Sequence, residues 1–261
     1  MDFDTYWRRV RQARADCPDR SVLVFHKISS SHDLARRVVG EYQAESVEPP
    51  PVDLLAWEQS TGKGRQGRTW SSPPGSGVYA SMIRQVEPEL TPRLPLLVSI
   101  ALASVLRDVA AVSCRLKWPN DLVVDGRKLG GILIDVQSSR DGPAVVILSF
   151  GLNHGSDAAA HFNEPGAVST LDLGSTVGLD ELAVASLDGV DRRLAAPASL
   201  ESVVGEYREL CAHRPGDVVE CRLTEEAEKT RGVFQGIDER GFLRLRIGEE
   251  ERVLSSGRLL D

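Results

Sequence analysis

The chain has 261 residues, 41% of them hydrophobic and 26% charged, which is enough to bury a full core and too apolar for a disordered chain. Lys and Arg number 31 against 38 Asp and Glu, a net charge of -7, so the surface as a whole repels a nucleic-acid backbone and any anion site must be local. Cys17, Cys114, Cys211 and Cys221 are scattered, without the close pairs of a metal knuckle or a disulfide framework, and a reducing cytoplasm is the expected compartment.

The first residues set Arg8, Arg9, Arg11 and Arg14 among Phe3, Tyr6, Trp7 and Val10 at helical spacing, which predicts an N-terminal helix within residues 1–20 and no signal peptide. Ser21–Ile28 reads as a strand. Ser31 or a neighbour then caps a helix whose Leu34, Ala35, Val38, Val39 and Tyr42 share one face. Pro49, Pro50 and Pro51 break the chain before a second strand, Val52–Glu58, and a glycine-rich basic loop separates that strand from a third, Val78–Arg84. The apolar run Leu94–Val112 contains Pro95, Ser99, Ser104, Arg107 and Asp108, so it reads as a buried helix and not a bilayer span; no membrane segment is expected. Strands follow at Leu122–Val124, Lys128–Val136 and Ala144–Asn153, with Asp125-Gly126 as a hairpin turn between the first two. Helical patterns return near Leu179–Leu187 and Leu200–Leu210. Beyond His213 the pattern changes to short strands, Asp217–Leu223, Thr230–Ile237, Phe242–Ile247 and Arg252–Leu254, with glycines at the turns. The expected architecture is α+β: a helix in residues 1–20, a mixed sheet flanked by helices over 21–212, and a small all-β barrel over 213–261.

Two segments carry chemistry. The first, Gly62-Lys63-Gly64-Arg65-Gln66-Gly67-Arg68-Thr69-Trp70, combines backbone N–H groups able to form an anion-binding concavity with cations for phosphate oxygens and an indole for stacking on a base. Its glycines spell G-x-G-x-x-G, but the loop leads into a strand and not a helix, which argues against a dinucleotide fingerprint. A solvated basic turn with Trp70 plugging the core is the plain alternative. The second, Lys117-Trp118-Pro119-Asn120-Asp121, sets Asn120 and Asp121 at a turn, where the carboxylate suits Mg2+ or both residues simply cap the turn. Lys128, beside Gly130 and Gly131 and leading into an apolar strand, is either an electrostatic catalyst or a snorkelling strand-edge lysine. Together the segments suit the joining of a carboxylic acid to a nucleotide phosphate.

The two segments resemble, in order, the G-R-G-R-x-G-R-x-W and K-W-P-N-D…R-K-L-x-G motifs of biotin protein ligases. Ile28–Ala35 is similar to that family's S-T-N-x-x-A stretch, Glu58-Gln59 to its glutamine position, and Ser149-Phe150-Gly151-Leu152-Asn153 to its G-x-G-I-N strand. The resemblance spans about Phe25 to Asn153 and implies the family's catalytic fold with a C-terminal SH3-like barrel. It implies activation of biotin by ATP and Mg2+ as biotinoyl-5'-AMP, then transfer to a lysine of a biotin carboxyl carrier protein or domain. By the same resemblance, Ser30, Ser31, His32 and Gln59 contact the biotin ring. Lys63, Gly64, Arg65 and Gly131 border the rest of biotin, and Arg65, Arg68, Trp70, Asn120, Asp121 and Asn153 serve ATP, with Asp121 holding the metal. Lys128 contacts both substrates, and Lys128 and Arg65 are the catalytic pair.

His32 stands where the family has asparagine, Lys63 where it has arginine, and Phe150 and His154 also depart from its strand motif, His154 reading as structural. Residues 1–20 are too short for a DNA-binding winged helix, so a monofunctional form without DNA binding is expected, and an exposed sheet edge leaves a homodimer open. A lipoate or octanoate enzyme, an inert protein sequestering biotin, and a nucleic-acid module are the rivals. The basic loop and K-W-P-N-D weigh against the first, and the acidic balance against the last.

Overall fold

The computed structural model describes residues 1–15, 20–137, 142–158, 162, 166–196, 198–222 and 228–260, so Cys17 and the end of the expected strand at Leu223 lie outside the described residues. In chain order it contains α1 (Phe3–Ala13), β1 (Ser21–Phe25), α2 (Ser31–Ala44), β2 (Val52–Ala56), β3 (Gln59–Lys63), β4 (Thr69–Ser72), β5 (Gly77–Val86) and α3 (Leu94–Asp108). Then come β6 (Arg115–Lys117), β7 (Asp121–Val124), β8 (Arg127–Gln137), β9 (Ala144–Asn153), α4 (Leu179–Ala195), α5 (Leu200–Leu210), β10 (Val218–Arg222), β11 (Thr230–Ile237), β12 (Leu243–Ile247), β13 (Glu250–Leu254) and β14 (Arg258–Leu259).

A seven-stranded sheet in the order β1-β2-β5-β9-β8-β7-β6 forms the body. Only β1 and β2 pair in parallel; the remaining pairs are antiparallel. Side chains alternate between its faces, as the two-residue period of a strand requires. On one face Leu55, Met82, Val146 and Leu148 join the main core with α3 and α4. On the other, Leu54, Ile83, Val145 and Ile147 pack under Ala35 and Val39 of α2. With helices on both sides, β2 and β9 are buried at every position, which explains why their sequences are mostly apolar.

The N-cap of α2 is Ser30, the neighbour of Ser31 that the sequence reading allowed, and its Oγ accepts from Asp33 N at 3.2 Å. The end of the next helix differs from that reading. α3 stops at Asp108, four residues short of the expected end, and Ala111 follows with φ of 54°. The helical stretch Pro88–Asp108 is long and apolar enough to cross a membrane, but its α3 portion is the central core helix.

The C-terminal strands form a five-stranded antiparallel sheet in the order β13-β12-β11-β10-β14, and no pairing closes it among the described residues. Val219, Cys221, Phe234, Leu243 and Leu245 of this sheet belong to the same core cluster as α3. Trp118 Nε1 donates to Gly241 O at 3.1 Å, and the Leu96 side chain lies against the same glycine.

A buried ionic cluster fastens the N-terminal helix to the sheet. Arg14 Nη2 and Arg84 Nη2 each donate to Asp53 at 2.5 Å, and Arg84 Nε donates to Asp191 Oδ1 at 2.8 Å. Arg14 also meets Asp188, and Arg20 meets Asp191. Asp53 is completely buried and is shared by both guanidinium groups, so its removal leaves two buried cations short of a carboxylate partner. Asp53→Ala is expected to cost about 3–5 kcal/mol of stability. Urea unfolding midpoints check this, and a loss within about 0.5 kcal/mol, the range of an ordinary surface substitution, contradicts it.

Candidate active site

The face of the sheet that carries Ile83 and Ile147 beneath α2 changes character toward one end. Along β5 and β9 the same side continues as Ser81, Ser149 and Gly151, with Ser81 and Ser149 directly paired across the strands. Above these small residues lies a cavity of about 280 Å3. The start of α2 supplies Ser30, Ser31 and His32; β8 supplies Lys128, Gly131 and Leu133; Asn120 and Asp121 lie at the start of β7.

The roof is the basic segment. It is not wholly a loop: β3 and β4 pair as a hairpin, Gly62 opposite Trp70 and Lys63 opposite Thr69, closed by a 3-10 turn over Arg65–Gly67. Gln66 (φ 55°) and Gly67 (φ 76°) hold the left-handed conformations that reverse the chain. This strand-turn-strand geometry removes the dinucleotide-fingerprint reading, since no helix starts at the glycines. Arg65 Nη1 donates to Asn120 Oδ1 at 3.1 Å, and Lys63 Nζ stands 3.4 Å from Asp33, so two ligand-side residues pin the roof to the floor. Burial pulls the Arg65 pKa below the ordinary guanidinium value, with Asp121 opposing and Arg68 adding to the fall.

At one end of the cavity lies Trp70. A Cβ on Gly151 would come within 2.4 Å of its indole and one on Gly131 within 3.1 Å, so those two positions form a slot that only glycine leaves open. Lys128 Nζ lies 5.1 Å from the ring centroid and 3.4 Å from Asp121 Oδ1. That carboxylate oxygen and Trp70 Nε1 are buried without a hydrogen-bond partner. The other end is polar. Ser31 N donates to Gln59 Oε1 at 2.7 Å, Gln59 Nε2 donates to Ser72 Oγ at 2.9 Å, and His32 Nδ1 lies 2.8 Å from Ser149 Oγ.

Of the residues singled out in the sequence, Ser30, Ser31, His32, Gln59, Lys63, Gly64, Arg65, Arg68, Trp70, Asn120, Asp121, Lys128 and Gly131 all line this one cavity. Asn153 does not line it. Its side chain is buried beside the site, where Nδ2 donates to Lys128 O at 3.2 Å and Val168 O at 3.1 Å, so it holds the Lys128 backbone in place. Ser149 and Phe162 line the cavity without having been singled out as site residues. A lone serine in the apolar strand AVVILSFGLN was the available signal for Ser149; Phe162 carried none.

The biotin/lipoate A/B protein ligase family matches residues 37–152, and the biotin protein ligase C terminal domain matches residues 219–258. A biotin--[acetyl-CoA-carboxylase] ligase of Paracoccus denitrificans is 31% identical over 204 residues, 74% of this chain and 83% of that protein. The chain belongs to the biotin protein ligase family. The bifunctional ligase/repressor BirA of Bacillus subtilis is 32% identical over 133 residues, 50% of this chain, and the matched stretch spans only 40% of that relative's length. The structure is similar to that of a biotin protein ligase from Aquifex aeolicus in complex with biotin and ATP, with a TM-score of 0.72 at 21% identity over 92% of this chain and 97% of that one, a likeness of fold.

Burial lowers the pKa of both His32 and His154; Asp135 and Asp33 oppose the fall at His32, and Asp180 opposes it at His154. Below the ordinary imidazole value of about 6.5 the unfolded chain therefore binds more protons than the folded one. The stability linked to the neutral rings is fully present above that pH and is lost as pH falls below it. The thermal midpoint is expected to drop between pH 7.5 and 5.5, and to drop less in His154→Gln. Equal midpoints at both pH values contradict this.

Proposed function

We propose that the chain is a biotin protein ligase in activity as well as in family: it condenses biotin with ATP to biotinoyl-5'-AMP and passes the biotinoyl group to a lysine of a biotin carboxyl carrier protein or domain. The observation that carries this reading is the convergence, in one cavity, of a polar end, a cationic middle and an indole. Biotin presents a ureido ring that needs donors and acceptors, and the buried hydroxyls, imidazole and amide of Ser30, Ser31, His32 and Gln59 supply them. A lipoyl ring offers no such groups to this polar end, which disfavours the lipoate reading.

In the first step a carboxylate oxygen forms a bond to the α-phosphorus while the bond from that phosphorus to the pyrophosphate oxygen breaks. Both reactants are anions, so the barrier is set by their repulsion and by the charge gathering on the pyrophosphate. Lys128 stands where it contacts the carboxylate, and Arg65 and Arg68 approach from the roof toward the phosphates, with Trp70 packing on adenine. Asp121, with a buried oxygen lacking a hydrogen-bond partner, is a suitable ligand for Mg2+, which when bound neutralises phosphate charge. In the second step the acceptor amine attacks the acyl carbon, AMP leaves with the bonding pair, and the amine loses a proton; a roofed, dry cavity protects the mixed anhydride from water until then. The C-terminal sheet is read as the SH3-like domain of the family. Cytoplasmic residence accords with the free, buried thiols of Cys114 and Cys211.

Incubation with biotin, ATP, Mg2+ and an apo carboxyl carrier domain should add the mass of one biotinoyl group to the acceptor; an acceptor of unchanged mass overturns the reading. Lys128→Ala should slow single-turnover adenylate formation by about 100- to 1,000-fold, the usual effect of deleting one preorganised charge donor. Parent-like rates in that variant would remove Lys128 from the chemistry.

A further inference from the structure

Lys128 stands where the sheet stops holding its own strand. β8 pairs with β9 only from Gly130 onward, Gly130 opposite Leu152, and on its other side the register with β7 slips so that Leu129 is passed over. The main chain of Lys128 is held by a strap, residues 166–168. Its N–H donates to Gly166 O at 3.2 Å, its carbonyl accepts from Val168 N at 2.9 Å, and Ala167 lies opposite it as an isolated bridge. The strap is part of neither a helix nor a strand, so its place has to be set from outside.

One carboxylate sets it. Asp172 Oδ2 accepts from Ser169 N at 3.2 Å, just past the strap, and Ser169 Oγ accepts in return from Asp172 N at 3.1 Å. The same carboxylate reaches back to where the chain has left β9: Oδ1 accepts from Asp157 N at 2.8 Å and Oδ2 from Ala158 N at 3.1 Å. Every donor here is a backbone N–H, so each bond has a single possible direction. Asp157 is held with φ of 59°, a left-handed conformation that a residue other than glycine keeps only where its surroundings enforce it. Ala158 in turn packs with Phe162 and Ala167 in a small buried cluster, and Ala167 is the residue opposite Lys128. The side chain of Asp172 is exposed and does not line the cavity.

We propose that Asp172 is a positioning residue for the activation of the acid: its carboxylate clasps the strap at both ends, the strap fixes the Lys128 main chain, and Lys128 Nζ is thereby kept at the cavity beside Trp70 and Asp121. Asn153 Nδ2, bonded to Lys128 O and Val168 O, stitches the strap to β9 between the two points that Asp172 holds. The demand on precision is high. A displacement of about 1 Å in a group that must meet a reacting atom can cost about 100-fold in rate, even when the change that causes it lies far from the chemistry.

The inference rests on the role given to Lys128 in the functional reading, and a double-mutant cycle separates the two. Biotin-dependent ATP–pyrophosphate exchange is measured for the parent, Asp172→Ala, Lys128→Ala and the double variant, each checked for parent-like melting. Asp172→Ala should lower kcat by about 10-fold or more in the parent and by less than about 2-fold in the Lys128→Ala background, where the group it positions is gone. A purely structural role would slow both backgrounds alike; equal losses, or an unchanged rate in folded Asp172→Ala, overturn the clasp. Where Asp172→Ala melts early, Asp172→Asn, which keeps a single acceptor oxygen, carries the same cycle. A parent without any biotin-dependent exchange overturns the functional reading, and a parent-like Lys128→Ala removes Lys128 and the clasp with it, whereas an active parent, a slow Lys128→Ala and equal losses overturn the clasp alone.

Discussion

The pairing of β5 with β9 is the constraint from which the site follows. Both strands are covered on two faces, so each residue on them must suit a neighbour above or below. On the α2 side, large apolar residues fill the space as far as Ile83 and Ile147, and beyond that the side chains shrink to Ser81, Ser149 and Gly151. Shrinkage at fixed backbone spacing leaves a hollow. The helix that covers the apolar part brings its own N-terminus, with Ser30, Ser31 and His32, to the rim of that hollow, so packing and binding share one helix.

Charge is handled differently in the two places where it is dense. Around Asp53 opposite charges meet at hydrogen-bonding distance and leave nothing for a ligand. In the cavity the cations are held more loosely: Lys63 and Lys128 stand 3.4 Å from their carboxylates, and Arg65 is bound to a neutral amide. Cations so placed can turn to an incoming anion without stranding a tightly bonded partner. An acidic protein thus keeps a local positive centre.

Much of this was legible beforehand because the relevant residues sit close together in the chain. The stretches Ala144–Asn153, Leu200–Leu210 and Thr230–Ile237 have the bounds expected from their patterns, and the basic segment and K-W-P-N-D were singled out from spacing. What was not legible depends on register. Nothing local tells that Gly62 faces Trp70, which makes a hairpin of an expected loop, or that Ser81 faces Ser149 across two strands more than sixty residues apart in sequence. The partners of Asn153 depend on register too: only the fold shows its Nδ2 donating to the Lys128 and Val168 carbonyls. The short strands β6 and β14 were missed because three and two residues carry no period.

Trp118 illustrates how a motif can serve two masters. It sits between the lysine and the polar turn of K-W-P-N-D, yet its indole is anchored on the Gly241 carbonyl, at the bend between β11 and β12, with Leu96 on the same glycine. Cutting the chain after residue 212 would strip that carbonyl away and wet the underside of α3. A shortened version made for crystallisation or labelling work would for that reason lose solubility and the Asn120–Asp121 geometry together, so the tail is better treated as part of the fold's foundation than as an accessory.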